Sequence, residues 1–134
     1  MQRSDCPIAN ILDYVGDKWT LLILRDILLF NKKTYSDLQN SKEHIATNIL
    51  ADRLNKLENA GIIYKSPHPN DKRRSIYSST EKGFDLIPLL LEMVIWSKKY
   101  APETYAPEDF LLSAKNNRDE LIQMIIDKNK KEQV

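Results

Sequence analysis

The chain has 134 residues, 42% of them hydrophobic and 29% charged, with a net charge of +1, and this composition indicates a globular protein with one main domain. Positive charge is concentrated in residues 32–83, which carry 10 basic and 6 acidic side chains, whereas residues 1–31 carry 3 and 4 and residues 84–134 carry 7 and 9. A single cysteine excludes an intrachain disulfide framework, no secretory signal pattern is present, and the longest apolar stretch is too short for a membrane span. We therefore expect a cytoplasmic protein without a membrane partner.

The first predicted helix spans about Pro7 to Val15. Pro7 suits the first turn of a helix, because proline lacks the N–H group that would be unpaired there, and Cys6 stands at the N-cap position. Gly16 is expected to end this helix in the left-handed conformation, which other residues resist.

The second and third helices are predicted from their caps. Asp17 can cap a helix over residues 18–30, which is apolar on nearly all sides and should be the most buried element. After a polar break, Thr34 can cap a short helix over residues 35–41 in which Leu38 turns inward.

The fourth helix carries the clearest periodic pattern in the chain. At about 100° per residue, its apolar and polar positions fall on opposite sides. The inward side holds Ala46, Leu50, Arg53, Leu54 and Leu57. The outward side holds Asn48, Asp52, Asn55 and Asn59. Gly61 is expected to end the helix.

Two short strands are predicted next, over residues 62–66 and 74–79, on either side of the turn sequence PHPND. Thr80 then caps a further helix. Pro88 is expected to kink that helix, because proline removes a backbone donor and clashes with the preceding turn.

The C-terminal part is predicted to contain a linker, residues 101–107, and one last helix that starts at Pro107. Acidic residues at its start and lysines at its end suit the helix dipole. Its apolar stripe consists of Phe110, Leu111, Ala114, Leu121, Ile122, Ile125 and Ile126. Together with the apolar stretch from Leu86 to Trp96, this stripe exceeds what a monomer of this size can cover, so we expect a homodimer.

The third and fourth helices have the proportions of a helix-turn-helix, whose second helix lies in the major groove of DNA. Asparagine can pair bidentately with adenine, a threonine hydroxyl can reach a phosphate or a base, and alanine can rest against a thymine methyl group. The residues predicted to face the groove are Thr47, Asn48, Ala51, Asp52 and Asn55. Taken alone, this pattern also fits an amphipathic helix with a solvated polar face.

The two strands and their basic turn would form a wing beside that helix. Lys72, Arg73 and Arg74 are expected at the tip of the hairpin, where long cations can contact phosphates or enter a minor groove. A charged turn by itself is usually only solvated, but its spacing from the helix is the one that a winged helix requires. We therefore predict an α+β winged helix-turn-helix that binds a palindromic double-stranded DNA operator through Thr34, Tyr35, Ser36, Thr47, Asn48, Ala51, Asn55, Lys72, Arg73 and Arg74.

The sequence also resembles a known family. CPIANILDYVGDKWTLLILRDIL and RLNKLENAGII are similar to the HxlR-type regulators, bacterial winged helix-turn-helix transcription factors related to MarR proteins. The segment NDKRRSIYSSTEKG also resembles the wing of that group, and the matching residues are Asp71, Arg73, Thr80 and Gly83. The resemblance covers about residues 6–104 and implies a DNA-binding domain there, with a C-terminal dimerisation helix over residues 105–134.

Two positions depart from the pattern of the family. Ala46 and Thr47 stand where members often have Ser-Pro, which leaves Thr47 as an alternative N-cap of the fourth helix. Asp52 stands where a neutral or basic residue would be easier to reconcile with DNA phosphate. Either Asp52 accepts a hydrogen bond from a cytosine amino group, or it orients Lys56 four residues later, and we favour the second role.

Cys6 has two interpretations. A thiol at a helix N-terminus reacts faster with oxidants and electrophiles, because the partial positive charge of the helix stabilises the thiolate. Some HxlR-type proteins use a cysteine at this position as a redox or electrophile switch, so the resemblance implies that role. The alternative is a small apolar residue packed under the first helix. With one cysteine in the chain, any disulfide would join two subunits or involve a small thiol.

Other functions remain open at this point. A winged helix that binds protein would have no need of the basic wing. A regulator gated by a small-molecule effector would bind an aromatic ligand near Trp19, Tyr14 and Trp96. An enzyme finds little support, because His44 and His68 have neither a nucleophile nor metal ligands at suitable spacing, so no cofactor and no metal are expected.

Overall fold

A computed structural model describes residues 4–131 of the chain. Over these residues the chain forms, in order, α1 (Pro7–Val15), α2 (Thr20–Leu28), α3 (Tyr35–Gln39), α4 (Thr47–Asn59), β1 (Ile63–His68), β2 (Asp71–Ser79), α5 (Glu81–Phe84), α6 (Ile87–Tyr100), α7 (Glu108–Asn116) and α8 (Arg118–Lys131). The chain divides into two compact units, one ending at Gly83 and the other beginning at Phe84. The boundary between a DNA-binding domain, residues 6–104, and a C-terminal dimerisation region, residues 105–134, stays a prediction. Among the described residues, no helix is long and apolar enough to cross a membrane.

Helix α2 forms the centre of the first unit. Six of its nine residues are buried, among them Ile23, Leu24 and Ile27, so the prediction that this helix is the most buried element is confirmed. It is shorter than predicted and begins at Thr20. Its N-cap residue is Trp19, which makes no side-chain cap, rather than the predicted Asp17. The Oδ2 atom of Asp17 nevertheless accepts hydrogen bonds from the backbone N–H groups of Trp19 and Thr20 at 3.0 and 3.2 Å, so it pairs two donors at the start of the helix.

Helix α1 has the predicted bounds, but the conformation just after its C-terminal end differs from the prediction. Cys6 occupies the N-cap position without a side-chain capping bond. Gly16 follows the helix with φ −76°, so the predicted left-handed conformation is wrong. Glycine is required there for a different reason, since a Cβ atom at Gly16 would lie 2.4 Å from the carbonyl oxygen of Leu12.

Helices α3 and α4 form the predicted helix-turn-helix pair. Thr34 and Asp37 make a complete capping box at the start of α3, and Leu38 is fully buried, as predicted. Ala46, rather than Thr47, is the N-cap of α4; it is exposed and has no side-chain cap, so its predicted inward position is wrong.

The C-terminal end of α4 leads directly into the wing. Gly61 adopts φ +74° just beyond the helix, where its N–H group bonds the carbonyl of Glu58 and the N–H of Ile62 bonds that of Leu57, each at 3.0 Å. These two bonds form a Schellman motif, which confirms the predicted helix stop and fixes the direction of β1.

The wing is a two-stranded antiparallel sheet with an irregular ladder. Its register runs regularly from Ile63 opposite Ser79 to Pro67 opposite Ser75, and then jumps to His68 opposite Asp71. The strands are therefore longer than predicted, and the three cations do not sit at the hairpin tip. Residues 72–74 instead form a bulge in β2 without ladder partners, at the register shift between Pro67 and His68.

Two predictions about helices after the wing are wrong, because each predicted helix is two helices in the structure. The helix after the wing is two helices, because α5 ends at Phe84 and α6 begins at Ile87. Pro88 consequently lies in the first turn of α6, where a proline costs little, and it does not kink the helix. The predicted single last helix is also broken: Asn117, with φ −134°, separates α7 from α8. Ala114, Leu121 and Ile125 of the predicted stripe are buried.

Candidate nucleic-acid interface

The outward face of α4 is a continuous exposed polar surface. Leu50, Leu54 and Leu57 are buried on the opposite side and hold the helix against the first unit. All five residues predicted to face a DNA groove are exposed, namely Thr47, Asn48, Ala51, Asp52 and Asn55. The amide groups of Asn48 and Asn55 both lie in the N-terminal and central turns, the part of a recognition helix that reaches base edges.

Asp52 lies within this surface as part of an ion-pair network. Its carboxylate is 3.3 Å from the Nζ atom of Lys56, at the i, i+4 spacing, and it also accepts a hydrogen bond from Arg53. The hydrogen bond from Lys56 is the largest cause of a lowered pKa at Asp52, and Arg53 lowers it further. The favoured role of Asp52, orienting Lys56, therefore agrees with the observed contact.

The three residues predicted at the start of α3 take different positions. The hydroxyl of Thr34 accepts from the N–H of Asp37 in the capping box, and Thr34 is only 8% exposed. The hydroxyl of Tyr35 donates to the carbonyl oxygen of Thr47 at 2.9 Å and so links α3 to the first turn of α4. Ser36 is exposed. Among these three, Ser36 is the best placed to contact DNA.

The cations of the wing lie next to the start of α3. Lys72, Arg73 and Arg74 are all exposed, and the N–H and Nε atoms of Arg73 both bond Asp71 Oδ1 at 3.1 Å. A cleft of about 420 Å³ joins the two elements; its lining residues are Thr34, Tyr35, Ser36, Gln39, Arg73, Arg74, Ser75 and Tyr77. The predicted DNA-contacting residues at the start of α3 and those of the wing thus line one cleft. The guanidinium groups of Arg73 and Arg74 in this cleft are suited to bind a phosphate.

This chain matches the family model described as HxlR-like helix-turn-helix over residues 14–105. The chain belongs to the HxlR-like helix-turn-helix family. The resemblance inferred from the sequence is thereby confirmed, and so is the α+β winged helix-turn-helix class, since solved winged-helix regulators share the arrangement of helices and hairpin.

Similar proteins are named as regulators of transcription. The uncharacterized HTH-type transcriptional regulator sll1512 of Synechocystis is 33% identical over 88 residues, which make up 66% of this chain and 64% of that protein, slightly less than two thirds of its length. The crystal structure of PA1607, a candidate transcription factor, has a TM-score of 0.68 and 34% identity, and the match covers 80% of this chain and 71% of that one.

A third similar protein has been solved in several chemical forms. The reduced form of the transcriptional regulator YodB from Bacillus subtilis has a TM-score of 0.59 and 26% identity, and the match covers 76% of this chain and all of that one. YodB has also been solved in quinone-bound and diamide-treated forms. These comparisons associate the HxlR-like fold with regulators rather than with enzymes.

Two ion pairs that hold this HxlR-like domain together were not predicted from the sequence. The guanidinium of Arg25 on α2 bonds both carboxylate oxygens of Glu43 at 2.8 and 2.7 Å, and the buried Ser41 donates to Glu43 at 3.0 Å. The bond from Arg25 is the main cause that lowers the pKa of Glu43 to about 2. This contact fixes the loop before α4. Its partners are 18 residues apart, so no local sequence pattern reveals it.

The second pair joins Asp17, at the start of α2, to Arg53 on α4. Arg53 Nε donates to Asp17 Oδ2 at 2.8 Å. Burial raises the pKa of Asp17, but hydrogen bonds from Thr20, Arg53 and the backbone of Trp19 outweigh it and bring the pKa to about 2. Arg53 was predicted only as a member of the inward side, and its partner lies 36 residues earlier in the chain.

The other predicted functional residues lie apart from this interface or have local roles. Cys6 is exposed, so the alternative of a thiol packed under the first helix is wrong. His68 Nδ1 accepts from the N–H of Asn70 at 3.0 Å within the wing, and His44 is an exposed loop residue. Over residues 4–131 there is no group of three or more His, Cys, Asp or Glu side chains that could hold a metal ion.

The proposed small-molecule region near Tyr14 contains a shallow polar cleft. Its volume is about 190 Å³, and its lining residues are Leu12, Asp13, Tyr14, Gly16, Asp17, Thr20, Arg53 and Lys56. Charged and polar groups dominate this lining, and Trp19 is not part of it. The cleft does not have the apolar walls that an aromatic ligand would need.

Proposed function

We propose that this HxlR-family protein is a sequence-specific DNA-binding regulator of transcription that acts as a homodimer. The observation that carries the proposal is the combination, on one compact unit, of an exposed polar face on α4 and an exposed cationic bulge in β2. A protein-binding module would have no use for three adjacent exposed cations beside such a helix. As a regulator of transcription it would act in the cytoplasm, on double-stranded DNA.

Helix α4 and the wing would have different roles in DNA recognition. Asn48 and Asn55 carry amides that can pair with the N6 and N7 atoms of adenine, so they would read sequence. Lys72, Arg73 and Arg74 would contact phosphate, which contributes affinity and orientation but no sequence information. Thr47, Ala51 and Ser36 would complete the contact surface.

Replacing Asn48 or Asn55 by Ala is expected to cost about 1 to 3 kcal/mol of binding free energy and to relax the base preference at one position of the operator. The measurement is the affinity of each variant for the selected operator and for single-base variants of it. Asn59→Ala is the matched control, because Asn59 is exposed at the C-terminal end of the same helix, away from the end that reaches bases. Unchanged base preference in the Asn48→Ala, Asn55→Ala double variant would show that α4 is not the recognition helix.

The dimer part of the proposal is supported by the surface of the second unit. Its helices leave several large apolar side chains exposed, namely Met93, Trp96, Tyr100, Leu112 and Met124. The rings of Trp96 and Tyr100 lie 5.2 Å apart and form a preorganised aromatic pair. A second copy covering such side chains would give a two-fold dimer that suits a palindromic operator, and a signal that shifts the spacing of the two α4 helices would change DNA binding.

We further propose that Cys6 makes DNA binding responsive to oxidants or electrophiles. The thiol is exposed and stands at the N-cap of α1, where it is accessible to reagents and close to the positive end of the helix. The similar protein YodB is known in reduced, quinone-bound and diamide-treated forms. Because the chain has one cysteine, diamide as the two-electron oxidant would join it in a disulfide to the other subunit or to a small thiol, whereas a quinone would add to the thiolate and form a thioether adduct.

Diamide or a quinone is therefore expected to change the operator affinity of the wild type and to leave Cys6→Ser unaffected. The two proteins should bind the operator equally well under reducing conditions, because Ser replaces the thiol without changing α1. Electrophoretic mobility shifts with and without the oxidant make the comparison, and mass spectrometry identifies the adduct. Operator affinity that is indifferent to both reagents would contradict the redox role and leave DNA binding itself standing.

A further inference from the structure

We infer that Asp17 and Arg53 are a positioning pair that fixes the orientation of α4, and with it the sequence preference of the protein. This inference rests on the proposed DNA-binding function and deepens it. Neither residue is required to touch DNA. Their effect would come from holding Asn48 and Asn55 in one position relative to the wing.

Asp17 is itself held firmly at the start of α2. Its carboxylate accepts from the N–H groups of Trp19 and Thr20 and from the hydroxyl of Thr20. Helix α2 is the most buried element of the first unit, so Asp17 is attached to the most rigid part of that unit. The remaining hydrogen-bonding capacity of its Oδ2 atom goes to Arg53.

Arg53 sits where it can set the rotation of α4. At about 100° per residue, it lies on the flank of the helix, between the buried leucines and the exposed polar face. Apolar packing is not directional, so Leu50, Leu54 and Leu57 alone leave some freedom for the helix to rotate or slide. The bond from Arg53 Nε to Asp17, at 2.8 Å, is directional and charge-assisted.

Two other side-chain hydrogen bonds hold the ends of α4, and one of them is the bond from Lys82 Nζ to the carbonyl of the C-cap residue Ala60 at 2.7 Å. The hydroxyl of Tyr35 holds the carbonyl of Thr47, in the first helical turn. Arg53 holds a position six residues further on, in the middle of the helix. Arg53 is thus the side chain that holds the middle of α4, between the bonded ends, so its loss would release the part of the helix that carries Asn55.

The same side chain connects the tether to the groove-facing surface. A second nitrogen of Arg53, Nη1, bonds Asp52, and Asp52 in turn pairs with Lys56. The alternating charges of Asp17, Arg53, Asp52 and Lys56 therefore run from the start of α2 onto the exposed face of α4. Without Asp17, Arg53 would be available to a phosphate, which would raise the affinity for DNA of any sequence.

The test compares Asp17→Asn, Arg53→Gln and the double variant with the wild type. Asn at position 17 keeps one oxygen for the start of α2 but loses the carboxylate charge, so the bond from Arg53 Nε to that same oxygen is no longer charge-assisted. The readout is the ratio of affinities for the selected operator and for a scrambled duplex, at one salt concentration and at a temperature where circular dichroism shows every variant folded. Asp85→Asn is the control, because it removes one exposed acidic charge from the second unit.

We expect each single variant to lower the ratio about tenfold, as loss of one charge-assisted hydrogen bond would. The double variant should be no worse than Arg53→Gln alone, since both changes act on the same ion pair, and Asp85→Asn should match the wild type. An unchanged ratio in folded Asp17→Asn, even with a lower melting temperature, would overturn the inference and assign the pair a purely structural role. Additive losses in the double variant would overturn it as well.

A further variant keeps the test decisive if Arg53→Gln does not fold. Arg53→Lys retains the charge but has no planar fork with which to bond Asp17 and Asp52 together, so a smaller loss of the ratio is expected, and an unchanged ratio would count against the inference. Failure of the proposed function has a different signature. In that case the wild type itself would select no operator from random DNA, whereas failure of the inference alone leaves that operator intact.

Discussion

Replacing Lys72, Arg73 and Arg74 together by Gln is expected to weaken binding to every DNA sequence by a similar factor. If all three bind phosphate in both copies of a dimer, the slope of log affinity against log salt should become shallower by about 5, which is roughly 0.9 for each phosphate that is no longer neutralised. At physiological salt the affinity would then fall by roughly three orders of magnitude or more. The bond between Arg73 and Asp71 holds one of the guanidinium groups, so Arg73 should contribute less than its neighbours.

The matched control replaces three exposed lysines of the second unit, Lys115, Lys128 and Lys131, by Gln. Net charge changes equally in the two triple variants, but only the wing variant removes cations from the proposed interface. Fluorescence anisotropy over a salt series, with the operator and a scrambled duplex, gives both slopes. A loss confined to the operator, with the salt slope unchanged, would contradict phosphate binding by the wing and point to base reading by these side chains.

The second large effect is expected at the dimer surface. Trp96 is 65% exposed in the single chain, so Trp96→Glu should leave the fold of the second unit intact. If a second copy covers the Trp96 side chain, removing this side chain should reduce the free energy of dimerisation by about 2 kcal/mol or more per copy, as for an interface hot spot. Two copies of the change would weaken dimerisation by roughly a thousandfold.

Sedimentation equilibrium measures the dissociation constant of the dimer directly, and circular dichroism checks the fold of the variant. Tyr105→Glu is the control, because Tyr105 is 86% exposed and lies outside the helices, in the segment between α6 and α7. Equal dimerisation of wild type and Trp96→Glu would place the interface elsewhere. A wild-type protein that sediments as a stable monomer would contradict the dimer proposal altogether.

Local sequence signals predicted the elements around the interface well. Thr34 and Asp37 form a capping box within four residues, and Gly61 ends α4 with a positive φ, so both ends of the helix-turn-helix follow from short-range chemistry. The exposed polar face of α4 follows equally from its period. Each of these features depends on residues that are close together in the chain.

The incorrect predictions concern alternatives that local signals do not separate. Gly16 is needed for a close approach to the Leu12 carbonyl rather than for a left-handed turn, and both requirements select glycine. Pro88 is as compatible with a first helical turn as with a kink. The bulge that holds the wing cations lies at a register shift between Pro67 and His68, and strand propensity alone does not specify register.

The contacts that position the interface were beyond prediction from sequence for a simpler reason. Arg25 reaches Glu43 and Asp17 reaches Arg53 only after α2, α3 and α4 have packed. Charged residues of this kind are common on helix surfaces, and nothing in their spacing identifies a partner 18 or 36 residues away. The sequence thus predicted the exposed polar face of α4 but not the contacts that hold it in place.

Selection of bound duplexes from random DNA by the purified full-length protein is the most direct test of sequence-specific recognition by a dimer. We expect enrichment of an inverted repeat whose half-sites lie about one helical turn, or a multiple of it, apart, and whose enriched positions include adenines within reach of Asn48 and Asn55. A pool that retains no sequence preference after repeated rounds, while the protein still binds DNA in a salt-dependent way, would contradict the account.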